Sequence, residues 1–340
     1  MPHLISVPRR RQRIGCRKFQ LPGGNRSAIL VWDSNGWDDG LHANGEPALN
    51  LAFRHQHTIA EPIAIEGFGY WSGQDVRVEF RPADVDTGIV FIRSDLDRPS
   101  VIPAALENRV EVPRRTNLNF DGATVEMVEH IMAALGGLCI DNCEVWVNRA
   151  EMPGCDGSSL PFADVLARVG RVRQPALRPV IQVCETIGIG DADCWVEVRP
   201  TGQAGLSIQY TLDYGPGPIG RQTYSLTVTP RAFHEQLAAA RTFLLQEEAE
   251  WLQNQGLGRR VTCHDLLVFG PDGPIDNTLR FPDECVRHKT LDLIGDLALA
   301  RCDIWGQIVA YRSGHRLNSQ LVRRILAECG VLRESVRRAA

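Results

Sequence analysis

Short blocks of this 340-residue chain recur in the same order in its second half. Val78-Glu79-Phe80-Arg81-Pro82 returns as Val196-Glu197-Val198-Arg199-Pro200, and Thr87-Gly88-Ile89-Val90-Phe91 resembles Ala204-Gly205-Leu206-Ser207-Ile208. Val128-x-His130, Leu135, Cys143 and Trp146 have counterparts in Val286-x-His288, Leu293, Cys302 and Trp305. The offset rises from about 118 to about 158, so the second copy carries about 40 extra residues before its helix. Each match is weak alone, but four in one order point to an internal duplication. Two copies do not make a solenoid. They predict two α+β domains of similar topology facing each other about a pseudo-twofold axis. The cleft between such domains is a favoured place for a site.

Local patterning fills in the copies. Val76, Val78 and Phe80 alternate with Arg77, Glu79 and Arg81, a half-buried strand, and Gly88–Ile92 reads as its partner. Ala123–Gly137 has helical spacing at Val125, Val128, Ile131, Met132 and Leu135, and Glu144–Val147 follows as a strand. Pro230–Gln255 suits amphipathic helix with a break, Leu266–Phe269 a strand, and Pro271-Asp272-Gly273-Pro274 a turn. The expected organisation is a basic, loop-rich extension at 1–53, a first domain at 54–178, a second at 179–330 with an insert at about 212–285, and a short basic tail at 331–340. Ile29–Trp32 could add one short strand to the extension, which reads either as a loose leader or as a tether to an anionic surface, and part of it is untranslated if the start codon lies further on.

Composition narrows the function classes. A net charge of −4 and a pI near 6.2 give no field suited to a dedicated nucleic-acid binder. The longest apolar or small stretch, Ile131–Ile140, is about half of what a membrane span needs, so no stable membrane insertion is expected. The first residues lack the pattern of a secretory signal. Ten cysteines with no C-x-x-C pair read as small hydrophobes in a reducing compartment, and the expected location is cytoplasmic.

The candidate chemistry lies on the duplicated helices. His288 and Asp292 stand at i and i+4, on one helical face, with Asp296 a turn further on. Glu129-His130 lies on the equivalent helix of the first copy, a carboxylate beside a histidine as in the zinc-protease motif. Taken singly, a solvated face or a satisfied core histidine explains each as well. The duplication changes this, because pseudo-symmetry brings His130 and His288 to corresponding places across the cleft. Two histidines and one aspartate would leave a fourth zinc position open for water. Ser313-Gly314-His315 follows a strand at Ile308–Tyr311, and a histidine on such a loop is either a mobile acid or base or a surface residue.

Together the blocks are recognisable. Val128-Glu129-His130-Ile131-Met132-Ala133-Ala134-Leu135-Gly136-Gly137-Leu138-x-Ile140-Asp141-Asn142 strongly resembles the UDP-3-O-acyl-N-acetylglucosamine deacetylases, zinc amidases of lipid A synthesis. So do Glu151-Met152-Pro153-x-x-Asp156-Gly157-Ser158, Ala240-Arg241-Thr242-Phe243, Arg287-His288-Lys289-x-x-Leu291-Asp292-x-Ile294-Gly295-Asp296-Leu297 and Tyr311-x-Ser313-Gly314-His315-x-Leu317-Asn318. The resemblance runs from about Arg54 to Leu326. It implies that each domain packs a sheet against two helices, with the site between the domains. It implies that His130, His288 and Asp292 bind Zn²⁺, that Glu129 is the general base, and that His315, hydrogen-bonded to Asp296, protonates the leaving amine. Lys289 and Thr242 would help hold the oxyanion. The implied substrate is a UDP-linked acylated amino sugar, from which acetate is released.

The chain departs from the family pattern in three places. Gly67-Phe68-Gly69-Tyr70-Trp71-Ser72-Gly73 has Trp71 where the family has His, Leu244 stands where Gly is usual, and Arg260-Val261-Thr262 replaces a Gly-Gly-Ser/Thr run. The last two fall in the insert that forms the family's acyl passage, so a changed acyl preference is one alternative reading. A catalytically silent binding protein of the same fold is the other; it would be expected to lack a ligand or the base, and none is lost. Nothing in the sequence gives an oligomeric state.

Overall fold

The computed structural model describes residues 53–331. All but the innermost residue of the expected basic extension, with its strand at Ile29–Trp32, and of the basic tail lies outside the described residues. Two sheets dominate. The first runs Ile63–Phe68, Asp75–Pro82, Cys143–Val147, Ile89–Arg93, Ser100–Pro103 in spatial order. The second runs Ile187–Gly190, Trp195–Arg199, Asp303–Tyr311, Leu206–Asp213, Arg221–Thr227. The two orders correspond strand for strand. In each, the last strand in sequence sits in the middle, antiparallel to the second and parallel to the third. The strands carry the alternation read from the sequence, with Val76, Val78 and Phe80 buried against Val145 and Val147.

Among the described residues six α-helices accompany them: α1 (Glu129–Gly137), α2 (Leu160–Val169), α3 (Pro230–Gln236), α4 (Gln246–Asn254), α5 (Glu284–Ala298) and α6 (His315–Glu328). Helices α1 and α2 accompany the first sheet, and α5 and α6 pack on the second. The two halves meet where α1 lies against α5. Small residues let these helices approach closely. A Cβ on Gly295 would stand 2.3 Å from the Glu129 carbonyl oxygen, and one on Gly136 would meet the Ala298 Cβ at 3.1 Å. Arg54 adds an ionic tie, reaching Asp141 at 2.6 Å and Asp303 at 2.7 Å.

Several expectations need correction. The Ile89–Arg93 strand does not pair with Asp75–Pro82, because Cys143–Val147 returns from α1 and inserts between them. Helical spacing from Ala123 was misleading. Ala123–Val125 is a strand, turned back on Asn117–Phe120 through Asp121 and Gly122, both at positive φ. Met127 also has positive φ, so the helix begins only at Glu129. Val125 in the strand and Val128, Ile131, Met132 and Leu135 beyond it are all buried, so periodicity does not separate the two segments. The insert of the second half is shorter than expected. Residues 212–227 complete the sheet and α5 begins at Glu284, so 228–283 is additional. The break expected within Pro230–Gln255 holds a strand, Phe243–Leu245, paired in parallel with Leu267–Gly270. His315 is not on a loop: it is the first residue of α6 and is buried.

Candidate functional site

The crossing of α1 and α5 brings together residues far apart in sequence. His130 leaves α1 and His288 leaves α5, and their rings meet edge to face with centroids 5.1 Å apart. Asp292, one turn beyond His288, places Oδ1 3.4 Å from His288 Nε2 and 3.8 Å from His130 Nε2. One ligand atom from each of the three lies within 4.8 Å of the others, and all three residues are buried. Helical spacing within α5 and close packing between the helices are both needed for this.

The donor set suits a cation. His288 Nδ1 donates to the Ala240 carbonyl at 3.1 Å, which leaves Nε2 free to ligate. Asp292 Oδ2 accepts from Lys289 Nζ at 2.7 Å, whereas the buried Oδ1 has no hydrogen-bond partner. A buried oxygen left so costs about 1–3 kcal/mol, which a metal would recover. Burial pulls the His130 imidazole down to about 3, with His288 adding to the effect, and burial lowers His288 as well. Both rings are therefore neutral, the form that binds metal. Burial alone would raise Asp292, but the cations around it, Lys289 and His315 among them, outweigh it and hold the carboxylate ionised.

Two further titratable groups flank this triad. Glu129 is 5% exposed, and burial, helped by Asp292, raises its carboxyl to about 7. Its Oε2 accepts from the Thr116 backbone N–H at 2.9 Å. His315 Nδ1 lies 2.8 Å from Asp296 Oδ2. Burial and the helix N-terminus both disfavour a charged imidazole there. The Asp296 carboxylate, through its charge and this hydrogen bond, overrides them and lifts His315 to about 9. Lys289 is likewise pulled down by burial but raised overall by Asp292.

Glu129, His130, His288, Lys289, Asp292 and His315 line one cavity of about 1280 Å³, and Asp296 sits behind His315. Thr242 lines it too, half-buried, its backbone N–H bonded to Gly157 O at 2.7 Å. Arg241 beside it turns away into a buried ion pair with Glu284 at 2.7 Å, so that motif residue anchors the strand to α5. Leu244 and Val261 line the same cavity, among Leu252, Leu266 and Val268. Trp71 lines it as well, with the Arg115 guanidinium 4.6 Å above its ring and its backbone N–H held by Glu151 at 2.7 Å.

Sequence reasoning missed Thr116, which no motif or period singles out. It quoted Asn318 only as part of a block, yet Asn318 donates to Asp296 Oδ2 at 2.8 Å. Lys289 stands out without any motif, being one of only two lysines in a chain rich in arginine, the other being Lys18.

Comparisons with known proteins converge on one family. The family model for UDP-3-O-acyl N-acetylglycosamine deacetylase matches residues 56–327. Curated proteins named UDP-3-O-acyl-N-acetylglucosamine deacetylase are similar over most of their length. The one from Anaeromyxobacter sp. (strain Fw109-5) is 35% identical over 286 residues, covering 82% of this chain and 91% of that protein. The one from Psychrobacter arcticus is 38% identical over 290 residues, covering 84% and 90%. The one from Haemophilus influenzae (strain PittEE) is 37% identical over 281 residues, covering 80% and 90%.

Proposed function

The chain belongs to the UDP-3-O-acyl-N-acetylglucosamine deacetylase family, and on that premise we propose that it is a zinc-dependent amidase working through the residues gathered at the α1–α5 crossing. It removes the acetyl group of UDP-3-O-(3-hydroxyacyl)-N-acetylglucosamine, a step of lipid A biosynthesis. The observation that carries the zinc reading is the triad of His130, His288 and Asp292 with its unpartnered buried oxygen, beside Glu129 in the large cavity. A bound Zn²⁺ would supply Lewis acidity, activating water near neutral pH and polarising the acetyl carbonyl.

The protein's own groups do the rest. Glu129 has one oxygen fixed by Thr116, and the other is left to take the proton of the attacking water. A carboxyl near pH 7 is matched to that task. Negative charge growing on the acetyl oxygen faces the Lys289 ammonium, which Asp292 Oδ2 holds in place, and Thr242 on the same wall. The amine leaves with a proton from Nε2 of His315, whose other nitrogen is fixed by Asp296. The apolar wall around Leu252, Leu266 and Val268 suits the acyl chain. A cytoplasmic location belongs to the same reading; no helix among the described residues is long and apolar enough to cross a membrane.

The test is acetate release from the UDP-sugar by metal-loaded and chelator-treated protein, with metal content measured in parallel. Loss on chelation and recovery with zinc support the proposal. Full activity without stoichiometric metal overturns the zinc assignment, and binding of the UDP-sugar with no acetate release favours the silent binding protein.

A further inference from the structure

Thr116 precedes the Asn117–Phe120 strand, outside every block that carries the family resemblance, and is 1% exposed. Its backbone grips the start of α1 from both sides. Its N–H donates to Glu129 Oε2 at 2.9 Å, and its carbonyl accepts from the Val128 N–H at 3.0 Å. Its hydroxyl turns the other way, donating to Asp296 Oδ1 at 2.8 Å, with His315 Nδ1 at 3.3 Å. Asp296 Oδ2 meanwhile takes His315 and Asn318, both at 2.8 Å. One residue thus touches the proton acceptor on α1, the carboxylate on α5 and the imidazole at the start of α6.

We propose that Thr116 is a positioning residue that sets the distance and orientation between Glu129 and the His315–Asp296 pair, acting through both and touching no reacting atom. This rests on the reading of Glu129 and His315 as base and acid. The hydroxyl is the separable half of the device. Without it, Asp296 Oδ1 loses its donor inside a buried site, and the carboxylate is free to rotate and carry the imidazole with it. The backbone half survives any side-chain substitution. Outer-shell hydrogen bonds of this kind are worth about 10–100-fold in activity.

The experiment compares acetate release by Thr116→Val, Thr116→Ala and Thr116→Ser with the wild-type holoenzyme. Valine keeps the shape and alanine leaves space, but both lose the hydroxyl. Both should lower kcat about 10–100-fold with KM within about twofold. Serine restores the hydroxyl and should restore most of kcat. In an Asp296→Ala background, Thr116→Val should add little, because the group it acts through is gone. Valine and alanine variants with wild-type kcat overturn the inference. So does a serine variant as slow as valine, which would make the methyl group and its packing the cause. A wild-type protein that releases no acetate fails the functional reading instead, which keeps the two failures distinct.

Discussion

Helices α1 and α5 occupy corresponding places in the two halves, yet almost none of their chemistry corresponds. Each precedes the central strand of its sheet, and each carries one histidine toward the other. With His130 aligned to His288, Glu129 corresponds to Arg287, Ala134 to Asp292, and Leu138 to Asp296. On the proposed reading, the first helix supplies one metal-binding nitrogen and the base, and the second supplies the other nitrogen, the only carboxylate of the triad and the support for the acid. Glu129 is buried at the crossing, whereas Arg287 turns outward to Asp283, the Gln236 carbonyl and the Tyr224 ring. A repeated frame fixes where groups converge; substitution within it divides the labour.

The insertions differ in the same way. Both halves add chain between the last edge strand and the helix of the crossing. The first adds a small three-stranded sheet that delivers Thr116, and the second adds 228–283, which delivers Thr242, Leu244 and Val261.

If α1 and α5 share one ion, loss of a ligand from either should be equally damaging. His130→Ala and Asp292→Ala should each abolish detectable acetate release and lower metal content measured by elemental analysis. Stoichiometric metal in His130→Ala would mean that α5 holds the ion alone, and the comparison would break there. Glu129→Gln comes next. It should keep the metal and lower kcat about 10²–10⁴-fold; loss of metal from this variant would make Glu129 a ligand rather than a base.

The pH profile of kcat/KM sharpens the division between base and acid. Glu129 must be ionised and His315 protonated, so activity should rise as Glu129 loses its proton, near pH 7, and fall as His315 loses its own, near pH 9. A bound dication would pull both limbs to lower pH. Asp296→Asn should move the alkaline limb down, because the carboxylate that raises His315 is gone; an unmoved limb would assign it to another group.

Smaller effects test the insertion. Each acyl CH₂ buried in the passage is worth about 0.8 kcal/mol. Leu244→Gly and Val261→Gly enlarge its wall and should shift preference, measured as a ratio of kcat/KM, toward longer chains. A ratio that does not move would detach these side chains from acyl selection. Arg287→Ala, at the position corresponding to Glu129, should leave kcat unchanged and cost about 1 kcal/mol of stability in denaturant unfolding. A catalytic loss would mean that the two positions are not as unlike as the geometry makes them.

The spacing of His288, Asp292 and Asp296 was legible because it is local: a helix puts such residues on one face whatever surrounds it. The pairing of His130 with His288 became legible only through the repeated blocks, which carried long-range information in a local form. The Ala123–Val125 strand was not legible, since its apolar residues satisfy a helical period as well as a strand's. The choice is made at Asp121-Gly122 and Met127, by backbone turns that periodicity does not record. His315 was misplaced for a related reason. A serine and a glycine after a strand read as loop, and only the packing of α6 fixes the residue that follows as the buried start of a helix.

The residue types, the helical spacing on α5, the doubled frame and, through its motifs, the family are all written along the chain. The tertiary structure alone decided that α1 and α5 touch closely enough for two imidazoles and a carboxylate to share one point. It also decided that Thr116, 180 residues from Asp296, would stand between Glu129 and the His315–Asp296 pair. The physical reason is that hydrogen bonds and ligand distances are set to fractions of an ångström by side-chain packing, and that packing depends on every element at once.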